Sequence, residues 1–278
     1  MAQRRELRIQ RRLQPSRFTN HDSRITALPD CRWLIGGARA YNFPMLNELE
    51  LTGRARTHVV QRDDLEGALQ HEALEPFLAM KEAAARDGIE IRIVSSFRDF
   101  AAQQRIWDQK YLGKRPLYDA HGNAREHGGL SADELVDAIV CWSAVPGGSR
   151  HHWGTEIDVI DRAALPPGYR VRLLPEEAQP GGVFERLHRW LDGNMSHFGF
   201  YRPYRTFRGG VHPETWHLSY APVATRALEM LTLAVFEEAV RASGIQGRER
   251  VLARSDEIYR QYVANVDAPD FVGREGLA

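Results

Sequence analysis

The chain of 278 residues holds only two cysteines, Cys31 and Cys141, far apart in the sequence. That excludes a disulfide framework and fits no thiolate metal or redox spacing, so both are read as buried free thiols. No apolar run reaches the roughly 18 residues that a membrane-spanning helix requires. The N-terminus carries charge but not the apolar core of a secretory signal, so the chain as written reads as cytoplasmic. Neither sign of charge is in excess. Lys+Arg and Asp+Glu number 37 each, so no global basic field points to nucleic acid or to an anionic membrane. The stretch "MAQRRELRIQRRLQPSR" is basic but local, and reads as a solvated tail. There is no internal repeat, and nothing in the pattern defines an oligomeric state.

What is present is ordinary for a globular protein. Apolar residues make up 43% and charged residues 27%, enough for one large domain or two small ones with a real core. "EALEPFLAMKEAAARDG" has an apolar stripe through Leu74, Phe77 and Leu78, three alanines and a closing Gly88, which predicts a helix. "IEIRIVSS" alternates as a strand with Ile89, Ile91 and Ile93 on one face. "FRDFAAQQRIWDQKYL" predicts a second helix. A Gly-rich loop follows from Gly113 to Gly129. "SADELVDAIVCWSA" predicts a helix opened by a Ser131–Glu134 capping box. "TEIDVID" predicts a strand, "VFERLHRWLDGNMSHFGF" a helix, and "RGGVHPETWHLSY" a loop entering a strand. From Ala221 to about Val266 two helices are expected around a break at Gly244. The pattern is α/β or α+β.

The chemistry concentrates in "SRHHWGTEIDVID". His151, His152, Glu156 and Asp158 crowd a Trp-Gly turn and a strand. A metal explains this, and so does a strand with a decorated edge. A zinc peptidase needs three protein ligands, an open position for water and a carboxylate to take that water's proton. A turn at Trp153-Gly154, with glycine free to take positive φ, can bring His151 and Asp158 to one point. "ETWH" then supplies Glu214 as a base and His217 as a third ligand. His152 is the rival to His151. Cys31 and Cys141 play no part, and Trp107, Trp142 and Trp190 read as core. His212 lies near the proposed site. His21, His58, His71, His121, His127, His188 and His197 read as solvated or capping.

These segments carry a resemblance. "SRHHWGTEID" resembles the Ser-x-His-x-x-Gly-x-Ala-x-Asp signature of the VanY-type D-alanyl-D-alanine carboxypeptidases, zinc peptidases of bacterial cell-wall peptides that share a fold with the Hedgehog signalling domain. "ETWH" is similar to their Glu-x-Trp-His motif, and "SSFRDFAAQ" to their Ser-Gly-Tyr-Arg-Ser/Asp-x-x-x-Gln segment. The three stand in the family's order across roughly Glu72 to Tyr220, about half of the chain. The resemblance implies an α+β fold of the Hedgehog/DD-peptidase type, with a central antiparallel sheet flanked by helices and extra helices at the C-terminus. It implies an N-terminal extension over 1–60, a catalytic domain over 61–222 and a C-terminal helical segment over 223–278 packed on the core.

The resemblance further implies that His151, Asp158 and His217 bind Zn²⁺. It makes Glu214 the general base that later protonates the leaving amine, and Arg98 the group that holds the substrate and its oxyanion. Ser149 and Gln103 match substrate-pocket positions, and Trp216 stands between base and ligand. The implied substrate is a peptidoglycan stem peptide or muropeptide that loses a C-terminal D-amino acid, in D-alanyl-D-alanine or LD fashion. An endopeptidase or dipeptidase of the same group, or a non-catalytic zinc module, are the alternatives. A binding module has no need of Glu214. Such a substrate belongs to the periplasm or cell wall, which conflicts with the missing export signal. An upstream start, another route of export, or cytoplasmic work on recycled peptides would each resolve it. The chain departs from the signature at Glu156, where a small residue is usual, and at Phe97, Ser96 and Thr215. As a strand residue Glu156 shares a face with Asp158.

Overall fold

A computed structural model of the chain describes residues 45–270. The basic tail, the thiol of Cys31, His21 and the outer ends of both flanking segments lie outside the described residues.

The chain enters through a short helix, α1 (Glu48–Leu51), closed by an Asn47–Glu50 capping box. Strands β1 (Val59–Gln61) and β2 (Ala68–Gln70) pair antiparallel. Helix α2 (His71–Arg86) follows, its first N–H groups accepted by the Gln70 side chain. Ala73, Leu74, Phe77, Met80 and Ala84 form its buried stripe, at the three- and four-residue spacing of one helical face. Strand β3 (Ile91–Ser95) leads into α3 (Phe100–Tyr111), capped by Asp99. Helix α4 (Ala132–Val140) has the Ser131–Glu134 capping box that its sequence announces.

A 3-10 turn over Arg150–Trp153 precedes β6 (Glu156–Asp161), after the small pair β4 (Leu117–Tyr118) and β5 (Ala124–Arg125). Then come α5 (Pro175–Ala178), α6 (Glu185–Asn194), β7 (Phe200–Tyr201) and β8 (His217–Tyr220). Among the described residues four α-helices follow, α7 (Ala221–Met230), α8 (Leu233–Arg241), α9 (Arg248–Ala253) and α10 (Ser255–Ile258), and a π-helical turn over Tyr259–Val263.

The central sheet is antiparallel in the order β3-β6-β8-β7, so the fold is α+β. Side chains alternate across β6 and β8. Ile157 and Leu218, which face each other in register, join Ile91, Ile93, Phe77 and Leu187 in one apolar core. The second core is helical and gathers Leu51, Trp107, Ile139, Trp153, Phe236 and Ile258. The segment Arg150–Asp161 joins the two cores, because Trp153 belongs to the helical one and Val159 to the sheet. The C-terminal helices share that helical core through Ala224, Ala227, Leu231, Phe236, Val251 and Ile258.

Several expectations need correction. The loop predicted over Gly113–Gly129 contains the β4–β5 pair. Asp119 folds its tip by accepting the N–H groups of His121 and Asn123, an Asx turn that a reading of polar composition passes over. Where two helices are expected after Ala221, the described residues form four α-helices. Gly244 does lie in a break, but Thr232, extended in backbone, makes another by accepting the N–H of Val235 as a helix cap. His58 and His188 are buried rather than solvated. His58 bonds the carbonyl of His152, and His188 stands beside Arg202. Cys141 is a free thiol and only half-buried. Trp107 is core, whereas Trp142 and Trp190 are half-buried. Among the described residues no helix is long and apolar enough to cross a membrane.

Candidate functional site

The polar face of β6 and β8 builds the site. Asp158 lies directly opposite His217 in the ladder, and Glu156 opposite Ser219. Residues two apart on a strand share a face, so all four side chains point the same way while Ile157 and Leu218 point into the core. A slip of one residue would exchange the two sets. The third element is the 3-10 turn, which ends at Gly154 with φ 68°. A Cβ there would stand 2.5 Å from Val59 Cγ1 and 3.0 Å from the Gln70 nitrogen, so glycine is required both for the turn and for the close approach. The turn lays His151 beside the sheet.

His151, Asp158 and His217 converge, with one ligand atom from each inside a 4.8 Å span. Nδ1 of His217 is 3.0 Å from Asp158 Oδ1, and Nε2 of His151 is 3.5 Å from Asp158 Oδ2. Ligands held about 2 Å from a tetrahedral ion stand roughly 3.3 Å apart, so these separations fit a divalent cation such as Zn²⁺. The remaining nitrogens are anchored. Nδ1–H of His151 donates to the Ser96 carbonyl at 2.8 Å, and Nε2–H of His217 donates to Glu156 Oε2 at 2.8 Å. Each anchor turns the other nitrogen towards Asp158. Burial pulls the His151 pKa down to about 3, so the ring is neutral, as a ligand must be. Burial disfavours the Asp158 carboxylate, but His151, His217 and Arg98 outweigh it and hold its pKa near 2. Burial likewise opposes the charging of His217. Its hydrogen bonds to Asp158 and Glu156 win and raise its pKa, so a cation on Nδ1 competes with a proton.

His152 is separated from this set. Its ring is fully buried, Nδ1–H donates to the Arg98 carbonyl at 2.6 Å, and Nε2 accepts the Gly147 N–H at 3.1 Å. Both nitrogens tie loops together. The rival histidine is a clamp, and His151 is the one that meets Asp158.

Glu214 reaches the same point, with Oε2 3.5 Å from His217 Nδ1 and 13% of its side chain exposed. Burial, and then the negative charge of Asp158, push its pKa up to about 7, the range suited to taking and returning a proton at neutral pH. Arg98 follows the bulge between Ile93 and Ser95 in β3. Burial lowers its pKa, while Asp158 and Glu214 act to raise it. Its guanidinium donates to Gln103 Oε1 at 2.6 Å and to Ser95 Oγ at 2.8 Å. Gln103 is fully buried and spends its own N–H on the Ala144 carbonyl at 2.7 Å, so it stands behind Arg98 and holds it. Ser149 is buried at the head of the 3-10 turn and makes no capping bond. Trp216 is buried between Glu214 and the sheet, its carbonyl accepting the Val159 N–H. His212 stacks between Trp142 and Phe207.

Three residues here were not singled out from sequence. Lys110 donates to Ser143 Oγ at 2.6 Å, and burial lowers its pKa to about 8 against the pull of Glu214. It lies seven positions after Gln103 on α3, the same helical face, which is the signal that would have found it. The Tyr204 ring lies 5.1 Å from that of His217. Arg150, at a position the signature leaves free, is buried against Glu156. Three donors that could hold a metal ion thus converge beside a carboxylate of raised pKa and a hydrogen-bonded guanidinium, a set of groups able to support hydrolysis.

Comparison with known proteins agrees with that class. The family model described as VanY, D-alanyl-D-alanine carboxypeptidase, matches residues 66–223, more than half of the chain. The chain therefore belongs to the VanY family of carboxypeptidases, and its α+β sheet is in keeping with that membership. An uncharacterised protein of Haemophilus influenzae is 34% identical over 127 residues, covering 45% of this chain and 95% of that protein. A D-alanyl-D-alanine carboxypeptidase of Enterococcus faecalis is 30% identical over 154 residues, covering 54% of this chain and 47% of that protein, so the match spans about half of the relative's length. Among solved structures, VanYB in complex with D-alanine-D-alanine is similar at 24% identity and a TM-score of 0.44, covering 68% of this chain and 91% of that one.

Proposed function

We propose that this chain is a zinc carboxypeptidase that removes the C-terminal D-alanine from peptidoglycan stem peptides. Family membership supports the reaction class, and the name of the Enterococcus faecalis relative supports the bond. The observation that carries the reading is Glu214 standing 3.5 Å from His217 Nδ1, beside the convergent His151–Asp158–His217 donors. A module that only binds zinc has no use for that carboxylate. The catalytic unit is proposed over 61–222, completed by the C-terminal helices that share its helical core.

His151, Asp158 and His217 would hold the ion, which when bound would supply a Lewis acid for the scissile carbonyl and lower the pKa of water towards about 7. Glu214 accepts the proton of the attacking water and hands it to the leaving amine. Its pKa near 7 makes both transfers nearly balanced. Arg98 is held by Gln103 and Ser95, and its fork meets the carboxylate of the terminal D-alanine or the developing oxyanion with two hydrogen bonds. Gln103 acts through Arg98, and Trp216 excludes water beside the base. Ser149 keeps the substrate-pocket role that the family resemblance implies, and the Lys110 ammonium is close enough for its charge to interact with Glu214.

The ligand set is tested by metal analysis of the purified chain. The wild type is expected to hold one zinc, and His151→Ala or His217→Ala to lose it. A variant that keeps a full equivalent overturns the assignment.

A further inference from the structure

Glu156 is one of the places where this chain departs from the family motifs, and the structure gives it surroundings that a chance substitution would lack. The carboxylate is fully buried in β6. Its Oε1 accepts Ser219 Oγ at 2.7 Å, Thr155 Oγ1 at 3.0 Å and Arg150 Nη2 at 3.2 Å. Its Oε2 is left for His217 Nε2 at 2.8 Å. Arg150 is equally buried, and its Nη2 also donates to Tyr201 Oη at 3.0 Å and Ser219 Oγ at 2.8 Å. The Arg150 guanidinium carbon lies 4.7 Å from the centre of the Trp153 ring. The partners come from the 3-10 turn, β7 and β8, with Thr155 in the short link between the turn and β6.

A buried carboxylate is tolerable only when paired and hydrogen-bonded, and Arg150 with the two hydroxyls provides that. The same arrangement leaves one oxygen aimed at the far side of a metal-ligating imidazole. Such a contact fixes the tautomer and the ring plane and makes the ligating nitrogen more basic. In register, Glu156 lies opposite Ser219, two residues along the strand from the Asp158–His217 pair. The sheet therefore sets ligand and anchor together.

We propose that Glu156, charged and locked by Arg150, is the positioning residue that holds His217 with its Nε2 protonated and its Nδ1 presented to the metal. The Arg150–Glu156 pair is thus a built-in support of the metal centre, at a position where the family signature has a small residue. The inference rests on the zinc reading above.

The test has two arms. In the first, the zinc-loaded wild type is labelled with ¹⁵N-histidine. Nuclear magnetic resonance should show an exchange-protected proton on Nε2 of His217 and metal on its Nδ1. Metal on Nε2 overturns the inference without any variant. In the second, zinc affinity is measured by competition with a chromophoric chelator for Glu156→Gln and for the double variant Arg150→Met/Glu156→Gln. The double variant removes the buried cation that the single one leaves unpaired. Losses of this kind are typically about 10–100-fold in metal affinity. That range is expected in whichever variant melts cooperatively as the metal-free protein, with an altered visible spectrum of the cobalt-substituted form. Zinc affinity within twofold of wild type in a folded variant overturns the inference and reduces the pair to a packing device. A wild type that binds no zinc overturns the zinc reading as well, which separates the two failures.

Discussion

Glu214→Gln should move activity and stability in opposite directions. The carboxylate sits beside Asp158 in a largely buried place, and its pKa is pushed from an ordinary 4.5 to about 7, first by burial and then by that neighbouring charge. The unfolded chain gives up this proton near 4.5 and the folded, zinc-stripped protein only near 7. Between those values the folded state holds the extra proton, so stability falls as pH rises through that window and the deficit is complete above it. At 1.36 kcal/mol per pH unit the deficit at pH 8 is about 3 kcal/mol. Glutamine carries no charge to desolvate. The zinc-stripped variant should therefore melt roughly 6–10 °C above the wild type at pH 8, and close to it at pH 4.5. Its turnover, with zinc restored, should fall by about 10²–10⁴-fold, the usual worth of a general acid–base group. Calorimetry of the stripped proteins at the two pH values and D-alanine release by the loaded ones read both effects. Equal turnover would remove Glu214 as the base. A melting point several degrees lower at pH 8 would refute the electrostatic reasoning.

Other outcomes follow from the same geometry. His152→Ala leaves the buried Gly147 N–H and Arg98 carbonyl without partners, so it should cost about 2–5 kcal/mol in thermal or denaturant unfolding. It should still bind one zinc. Gly154→Ala, at φ 68° with a Cβ 2.5 Å from Val59, should lower the melting temperature and weaken zinc together, because the strained turn carries His151. Arg98→Lys should keep zinc but raise KM for peptides with a free terminal carboxylate, since an ammonium cannot reproduce the two-pronged contact. The pH profile of kcat/KM should lose activity on the acid side as Glu214 takes up a proton, at or below about pH 7, because zinc favours the carboxylate.

Much of the site is legible in the sequence, and the reasons are local. Ser131 followed by Glu134 announces a helix start, and the Ile89–Ile93 alternation announces a strand. The glycine after Trp153 announces a left-handed turn. Those signals depend on residues close in sequence. The Asp158–His217 pairing joins residues 59 apart, and nothing in the sequence states that register. In the sequence, only the register of the motif separates His151 from His152. The structural reason is that His152 spends both nitrogens on backbone groups of other loops. Glu156 could be placed on the face of Asp158 by alternation alone, but its partners could not. Arg150 is adjacent to a ligand yet occupies a free position in the signature, and Ser219 is reached only through β8. The extra break at Thr232 was missed because a single capping threonine is a weak signal amid apolar residues.

If the proposed function holds, the zinc-loaded chain cleaves a C-terminal D-alanine from cell-wall peptides. The direct measurement incubates it with stem peptides ending in D-Ala-D-Ala, in L-Lys-D-Ala and in meso-diaminopimelate-D-Ala, and reads the products by mass spectrometry. Loss of one D-alanine from at least one of them is expected, abolished by a chelator and by Glu214→Gln, and the preferred peptide distinguishes DD from LD specificity. No cleavage of any stem by protein carrying one zinc per chain would contradict it.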